Sequence, residues 1–266
     1  RWAIFASRGG LSQDGGKTWS VFSEGPKWGL EQACVNWLDN GRMVLAREHS
    51  CDGKEKIFLS TDGGFTWNDL GNTYSATALG ILPTGTIVTQ QTKDLLPVNR
   101  SEDHGKTWIT QPAPKIPSTS GVERGVQFVY SITTFKGAPY WLSTVGLYTT
   151  RDDDKSWTIV GNPFPDTLTG KDHFPVQGPL FGKDENHIVI MMNDQFIETI
   201  DGGVHWHSLM ATPIKVPSSY ACAFAGYDPI SDTLYFSMRH TADAHDWVQN
   251  HIYRAELKRV IKNTND

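Results

Sequence analysis

The sequence predicts an all-β fold built from a repeated four-stranded unit, and three observations support this prediction. An eight-residue phrase occurs five times at nearly regular intervals. Short runs rich in Val, Ile, Thr and aromatic residues, separated by Gly, Pro, Asn and Asp, fill the stretches between the copies. The 266 residues divide into six units of about 44 residues each, the size of a four-stranded propeller blade. Because no linker or low-complexity segment divides the chain, we predict one domain over 1–266, a six-bladed β-propeller.

The repeated phrase has the form Ser/Thr-x-Asp-x-Gly-x-Thr-Trp. Three copies are close to this form: SQDGGKTW at 12–19, STDGGFTW at 60–67 and SEDHGKTW at 101–108. Two copies depart from it: TRDDDKSW at 150–157, with Asp154 in place of Gly, and TIDGGVHW at 199–206, with His205 in place of Thr. The aspartates of successive copies are separated by 48, 41, 49 and 49 residues, a period typical of repeat architectures.

Each residue type in the phrase has a structural task. Ser or Thr followed by Asp and Gly favours a tight turn in which the Asp side chain accepts backbone N–H groups. Glycine permits the positive φ that such a turn needs. The Trp can bury its ring between neighbouring sheets while its N–H finds an acceptor. We therefore predict that the phrase forms a hairpin turn and has a structural role.

The predicted strands follow one another as A, B and C, then the repeated phrase, then D. The first unit begins at strand B with AIFAS. Later units read ACVNWL, RMVLAR and KIFLS; TALGIL and TIVTQQ; VQFVYSITTF, APYWLST and GLYTT; GPLF, HIVIMMN and QFIETI. A sixth unit lacks the phrase and reads YACAFAGY, TLYFSMR and HIYRAEL.

Over residues 12–206 the five copies resemble the Asp-box, or BNR, repeats of sialidases and related β-propellers. This resemblance implies a sialidase-like propeller whose Asp-box hairpins lie on the face opposite the active site. In such propellers the D-to-A and B-to-C connections share the face that carries the site. Asp boxes also occur in non-catalytic propellers, so the resemblance is compatible with an enzyme and with a binding module.

Three predicted B strands end in arginine, at Arg8, Arg47 and Arg239. They belong to units one, two and six, which are neighbours if the ring closes. Three guanidinium groups near one axis would form a carboxylate site through bidentate hydrogen bonds. The alternative is that each arginine pairs with a carboxylate or carbonyl in its own surroundings.

The resemblance also implies catalytic residues. Tyr220 stands at the start of the sixth A strand and Glu123 just before the fourth, as for a tyrosine nucleophile with an adjacent glutamate base. Asp172 lies in a long loop and could supply an acid or base. Alternatively, Tyr220 fills the rim and Glu123 pairs with Arg124. Glu31, sixteen residues before an arginine-ended B strand, is a rival to Glu123.

Two tryptophans stand outside the repeated phrase, Trp28 and Trp247, and either could stack on a sugar ring or anchor its own loop. The loop 239–251 holds three histidines and two aspartates, but their spacing matches no metal motif, so we predict no metal and no cofactor.

Composition narrows the classes of partner. The net charge of −5 and the pI near 6.0 disfavour a nucleic-acid binder, and no apolar run is long enough for a membrane span. The chain opens with Arg1, which we interpret as a mature or trimmed form, and a disulfide between Cys34 and Cys51 would suit a secreted or extracytoplasmic protein.

The leading functional hypothesis is a sialidase-like exo-glycosidase that acts as a monomer on a terminal, acidic sugar of a glycan or glycoconjugate. The alternative is a non-catalytic propeller that binds glycan or protein through its axial face. The chain lacks the Arg-Ile-Pro motif usual in sialidases, and its fourth B strand ends without arginine, which keeps this alternative open.

Overall fold

A computed structural model describes thirteen segments of the chain: residues 2–4, 10–12, 17–18, 20–21, 35–37, 43–48, 56–71, 78–90, 97–115, 126–168, 175–212, 224–239 and 250–257. All the regular elements in these segments are β-strands, which confirms the all-β prediction. No helix in the described segments is long and apolar enough to cross a membrane. The chain divides into two compact units, Arg1–Val160 and Gly161–Asp266.

The unit Arg1–Val160 holds four sheets among its described residues. The first contains β1 (Trp2–Ile4), β2 (Gly10–Ser12) and β3 (Ser20–Val21), and the second β4 (Val35–Trp37), β5 (Val44–Glu48), β6 (Lys56–Ser60) and β7 (Asn68–Asp69). The third contains β8 (Ala78–Ile81), β9 (Ile87–Gln90), β10 (Val98–Ser101), β11 (Ile109–Gln111) and β12 (Tyr130–Ser131). The fourth contains β13 (Thr133–Phe135), β14 (Ala138–Leu142), β15 (Leu147–Thr149) and β16 (Thr158–Ile159).

The unit Gly161–Asp266 holds two sheets among its described residues. The fifth sheet contains β17 (Pro175–Phe181), β18 (Ile188–Met192), β19 (Gln195–Thr199) and β20 (His207–Ala211). The sixth contains β21 (Phe224–Asp228), β22 (Thr233–Arg239) and β23 (Asn250–Glu256). Consecutive strands pair antiparallel in both sheets, as the alternation of apolar runs and turn residues predicts.

One segment departs from the predicted antiparallel pattern. The run VQFVYSITTF, expected to be a single A strand, is divided between two sheets. Its part β12 pairs parallel with β8 of the third sheet, and its part β13 pairs antiparallel with β14 of the fourth. The segment therefore joins these two sheets through backbone hydrogen bonds as well as through side chains.

A glycine on β8 permits this crossing. A Cβ built on Gly80 would meet the side chain of Ile132 at 2.5 Å, closer than real Cβ atoms approach. Nearby, the amide of the buried Gln90 donates to the carbonyl of Val126 at 2.7 Å and accepts the N–H of Phe128 at 2.6 Å. The close approach and the amide bonds together hold the segment against the third sheet.

Buried apolar clusters lie between successive sheets within each unit. Between the second and third sheets the cluster contains Met43, Leu45, Ile57, Leu59, Leu79, Ile81 and Ile87. Between the third and fourth sheets four aromatic side chains share one cluster: Phe128, Trp141, Tyr148 and Trp157. Between the fifth and sixth sheets it contains Val176, Val189, Met191, Phe196, Ala225, Leu234 and Phe236. In these three pairs of sheets, apolar side chains of one sheet thus cover an apolar face of the other.

Replacing Gly80 with alanine tests the packing of the crossing segment. We expect Gly80→Ala to lower the free energy of unfolding by about 1–3 kcal/mol, because the new methyl group forces Ile132 out of its place. The measurement is urea unfolding followed by tryptophan fluorescence.

The matched control is Gly226→Ala. Gly226 also lies on a strand, β21, but a Cβ built on it meets no atom within 4 Å. Stability of this variant should stay unchanged or rise by less than about 1 kcal/mol. Equal losses in both variants would contradict the proposed role of the close approach.

Candidate functional site

The repeated phrase forms the same turn in the four copies that the structure describes in full. In the copy at 60–67, Asp62 Oδ1 accepts the N–H of Thr66 at 2.9 Å and Asp62 Oδ2 accepts the Thr66 hydroxyl at 2.6 Å. The Ser60 hydroxyl donates to Asp62 at 2.8 Å and accepts the N–H of Gly64 at 2.7 Å. Equivalent bonds are made by Asp103 with Thr107, by Asp152 with Ser156 and by Asp201 with His205.

These bonds stabilise the ionised carboxylate. Hydrogen bonds from the side chain and backbone of Thr107 hold the pKa of Asp103 at about 2, and the Ser156 side chain lowers the pKa of Asp152 in the same way. Burial raises the pKa of Asp62, but its hydrogen bonds outweigh burial and leave the pKa below its usual value. Carboxylates bound in this way stabilise the turn, and they are poor general acids or bases near neutral pH.

The fourth copy differs at its fifth position. In the second and third copies, the tryptophan N–H donates to the carbonyl of Gly64 or Gly105. In the fourth copy this glycine is replaced by Asp154, which is fully buried, and the Trp157 N–H donates to its Oδ1. The other oxygen, Oδ2, accepts the side-chain N–H of Gln111 at 2.9 Å.

A buried arginine of the third sheet faces this turn. Arg100 on β10 places Nη2 at 2.9 Å from the carbonyl oxygen of Asp153, at 3.3 Å from Asp153 Oδ2 and at 2.8 Å from Glu102 Oε1. Its Nε lies 3.8 Å from Asp154 Oδ2, too far for a hydrogen bond. One guanidinium group therefore faces three carboxyl groups.

Burial raises the pKa of Asp154 to about 7. The Trp157 N–H and the Arg100 charge lower it, while the charges of Asp153 and Asp152 raise it. A carboxyl group that titrates near neutral pH is unusual and often marks a functional position, although structural ion clusters produce the same shift.

A groove opens beside this cluster, at the end of the third and fourth sheets where the hairpin turns lie. Its volume is about 430 Å³, within the range of small-ligand sites. The lining residues come from the β8–β9 turn, the β13–β14 turn and the fourth repeat turn: Leu82, Pro83, Thr84, Gly137, Ala138, Pro139, Thr150, Arg151, Asp152 and Asp153. Asp153 belongs to both the groove and the cluster, because its carboxylate also accepts the hydroxyls of Thr84 and Thr86.

The fifth sheet carries a second polar cluster. The buried carboxylate of Glu198 lies 2.7 Å from His187 Nε2 and 3.2 Å from His207 Nε2. The ring of His187 also packs edge-on against Tyr227 of β21. Within the described segments, no group of three or more His, Cys, Asp or Glu residues has a geometry suited to a metal ion.

Two of the predicted arginines lie on described strands. Arg47 on β5 pairs with Ile57, whereas Val44 on the same strand pairs with Ser60, where the repeat turn begins. Arg239 pairs with Asn250 at the end of β22 remote from the β21–β22 turn. Both arginines therefore stand at the end of their sheet that is remote from these turns, and their role in a site stays a prediction.

The other predicted site residues lie outside the described segments: Arg8, Trp28, Glu31, Glu123, Asp172, Tyr220 and Trp247. Their roles stay predictions, as does the disulfide between Cys34 and Cys51, which also lie outside.

The cluster around Arg100 was missed by sequence reasoning. Its one visible signal was Asp154 in a position where the repeat has glycine. Arg100, which faces Asp154 from β10, is 54 positions earlier in the chain, and no local sequence pattern connects the two residues.

No protein-family model matches the chain, and none of the curated proteins compared with it matches either. Among solved structures, an ancestral GH74 enzyme is 12% identical over 89% of this chain and 32% of its own, with a TM-score of 0.51. YCF48 from Cyanidioschyzon merolae is 15% identical over 86% of this chain and 70% of its own, with a TM-score of 0.47. TolB from Acinetobacter baumannii is 11% identical over 87% of this chain and 56% of its own, with a TM-score of 0.49.

These solved structures are β-propellers, and the likeness to the GH74 enzyme supports that fold for this chain. At such low identity the likeness concerns the fold alone and carries no activity with it.

Replacing Thr107 with valine tests the carboxylate turn. We expect Thr107→Val to raise the pKa of Asp103 from about 2 toward its ordinary 3.8, because the hydroxyl donor is lost. Since the native pKa lies below the unfolded one, this bond stabilises the fold above about pH 4 and its effect disappears as the pH falls toward 2. Carboxyl chemical shifts followed by NMR across this range give the measurement.

The matched control is Thr110→Val, because the Thr110 hydroxyl donates to Asn99 and not to a carboxylate. An Asp103 midpoint that is the same in both variants would show that the Thr107 hydroxyl does not stabilise the anion.

Proposed function

We propose that this chain is a six-bladed, sialidase-like propeller that binds a terminal acidic sugar of a glycan and hydrolyses its glycosidic bond. The observation that carries the proposal is the position of Arg47 and Arg239, each on the second strand of its sheet, at the end remote from the hairpin turns. The repeat turns at the opposite end use their carboxylates in their own hydrogen bonds. The sheet ends that carry the arginines are therefore the better place for a ligand.

Arginine at these positions suits a carboxylate ligand. A guanidinium group presents a planar fork of N–H donors that matches the two oxygens of a carboxylate. With Arg8 as the third member, the arginines would bind the acid group of the sugar. Trp28 and Trp247 would cover the sugar ring, and Glu31 would bind its polar substituents or replace Glu123.

The proposed reaction proceeds in two steps. The Tyr220 oxygen attacks the anomeric carbon, Glu123 takes the phenolic proton, and Asp172 gives a proton to the departing glycosidic oxygen. Water then attacks the anomeric carbon and breaks its bond to the Tyr220 oxygen. Asp172 accepts a proton from this water, and Tyr220 regains a proton from Glu123. The products are the free sugar and the shortened glycan, with the configuration at the anomeric carbon retained.

A screen of chromogenic sialosides, uronides and neutral hexosides tests the enzymatic part. We expect release of chromophore from an acidic sugar and at least about a hundredfold loss in Tyr220→Phe. If the folded protein binds an acidic sugar but releases no chromophore from any substrate, the non-catalytic alternative replaces the glycosidase.

Replacing Arg47 tests the carboxylate site. Removing one partner leaves the bound carboxylate short of hydrogen bonds, at a cost of about 2–4 kcal/mol. Arg47→Ala should therefore weaken binding of an acidic sugar by about thirtyfold or more, and binding of its neutral analogue hardly at all. Arg47→Lys should recover only part of the affinity, because an ammonium group cannot reproduce the planar fork.

Arg254→Ala is the matched control, since Arg254 is an exposed strand arginine that pairs with Glu256. Calorimetric titration should give wild-type affinity for this variant. Equal affinities of Arg47→Ala and Arg254→Ala would exclude Arg47 from the site.

A further inference from the structure

The fourth repeat turn places a side chain where the other described copies have none. Asp154 has φ of 72°, and the equivalent Gly64 and Gly105 have φ of 96° and 85°. A side chain in this left-handed region is strained unless its surroundings hold it. Here the carboxyl group is fully buried and receives N–H donors from Trp157 and Gln111.

The charges around this carboxyl group are unbalanced. Among the described residues, Arg100 from β10 is the one cation that interacts with it, and Glu102 and Asp153 already occupy Nη2 of that guanidinium. Asp152 and Asp153, in the same turn, add negative charge. An ionised Asp154 would therefore have to share a single guanidinium group with two bound carboxylates.

Other titratable groups that the structure describes in or beside the turn do not correct this imbalance. Arg151 and Lys155 belong to the turn but are exposed. Tyr148, in the same apolar cluster as Trp157, stays neutral because burial raises the pKa of its phenol above the usual 10.

We propose that Asp154 is a pH-sensitive latch between the third and fourth sheets, which holds the fourth repeat turn closed when protonated and loosens it on ionisation. The inference is independent of the proposed glycosidase activity, because none of the residues proposed for that site takes part.

The direction of the effect follows from the raised pKa. Burial brings the pKa of Asp154 from an ordinary 3.8 to about 7, so the folded state holds the proton more tightly than the unfolded chain. The contribution to stability is complete below about pH 3.8 and is lost as the pH rises through about 7. A single group of this kind changes the unfolding equilibrium constant by at most about tenfold for each pH unit in that window.

The groove is the part of the surface that would respond. Asp153, next to Asp154 in the chain, lines the groove and connects Thr84 and Thr86 of the third sheet with Arg100. Ionisation of Asp154 adds a like charge beside Asp153 and competes for the same guanidinium. The turn that forms one wall of the groove should therefore open more often above neutral pH.

The test compares wild type with Asp154→Asn and Asp154→Gly between pH 4.5 and 8.5, using urea unfolding and hydrogen exchange. Asparagine has the same shape but does not ionise, and glycine restores the usual residue of the repeat and suits the positive φ. Wild type should lose stability as the pH rises from 4.5 to about 7, and the loss should level off above that pH. In both variants this decrease of stability with pH should be absent, whatever their absolute stability. Protection factors of residues 150–157 should fall with pH at least tenfold more in wild type than in either variant.

Asp166→Asn is the control, because Asp166 is an exposed aspartate, and its curve should follow wild type. Parallel curves for wild type and both Asp154 variants would overturn the proposal. A wild-type stability that rises with pH and loses this rise in Asp154→Asn would also overturn it, since the carboxylate would then be bound productively by Arg100. If one variant fails to fold, the other still gives the slope.

Discussion

Each described repeat turn depends on the bond between its aspartate and the N–H of the seventh residue of the phrase. This bond, at 2.8–2.9 Å in all four copies, closes the turn and directs the next residue, tryptophan, toward the neighbouring sheet. Trp108 packs on the cluster between the second and third sheets, and Trp157 belongs to the cluster between the third and fourth. A local carboxylate bond thus sets where two sheets meet, and the apolar clusters supply most of the stabilisation.

The turns could be predicted from sequence because the hydrogen-bond partners of each box aspartate lie within the same eight residues. Even the substitution of His205 for Thr preserves the pattern, since its ring nitrogen lies 2.7 Å from Asp201 Oδ2. The division of one predicted strand between two sheets could not be predicted, because it depends on Gly80 meeting Ile132, more than fifty residues later. The Asp154 cluster could be predicted only in part. The sequence shows Asp154 where the repeat has glycine, but it does not show that Arg100 and Gln111 meet this side chain.

The two ends of the sheets therefore have different chemistry. At the hairpin end, polar groups are used in turns and in the Arg100 cluster, and one carboxyl group there is close to titration at neutral pH. At the other end, Arg47 and Arg239 stand on strand ends that belong to no repeat turn. We infer that the hairpin end maintains the frame, with a pH-sensitive wall on its groove, and that ligand recognition belongs to the opposite end.

The most direct test of this division is a hydrogen-exchange map of the protein with and without N-acetylneuraminic acid, with a neutral hexosamine as the control ligand. The account predicts slower exchange in peptides that contain residues 43–48 and 233–239, with the acidic sugar only, and unchanged exchange in the turns at 60–67, 101–108 and 199–206. Protection confined to the repeat turns, or the same map with both sugars, would contradict it.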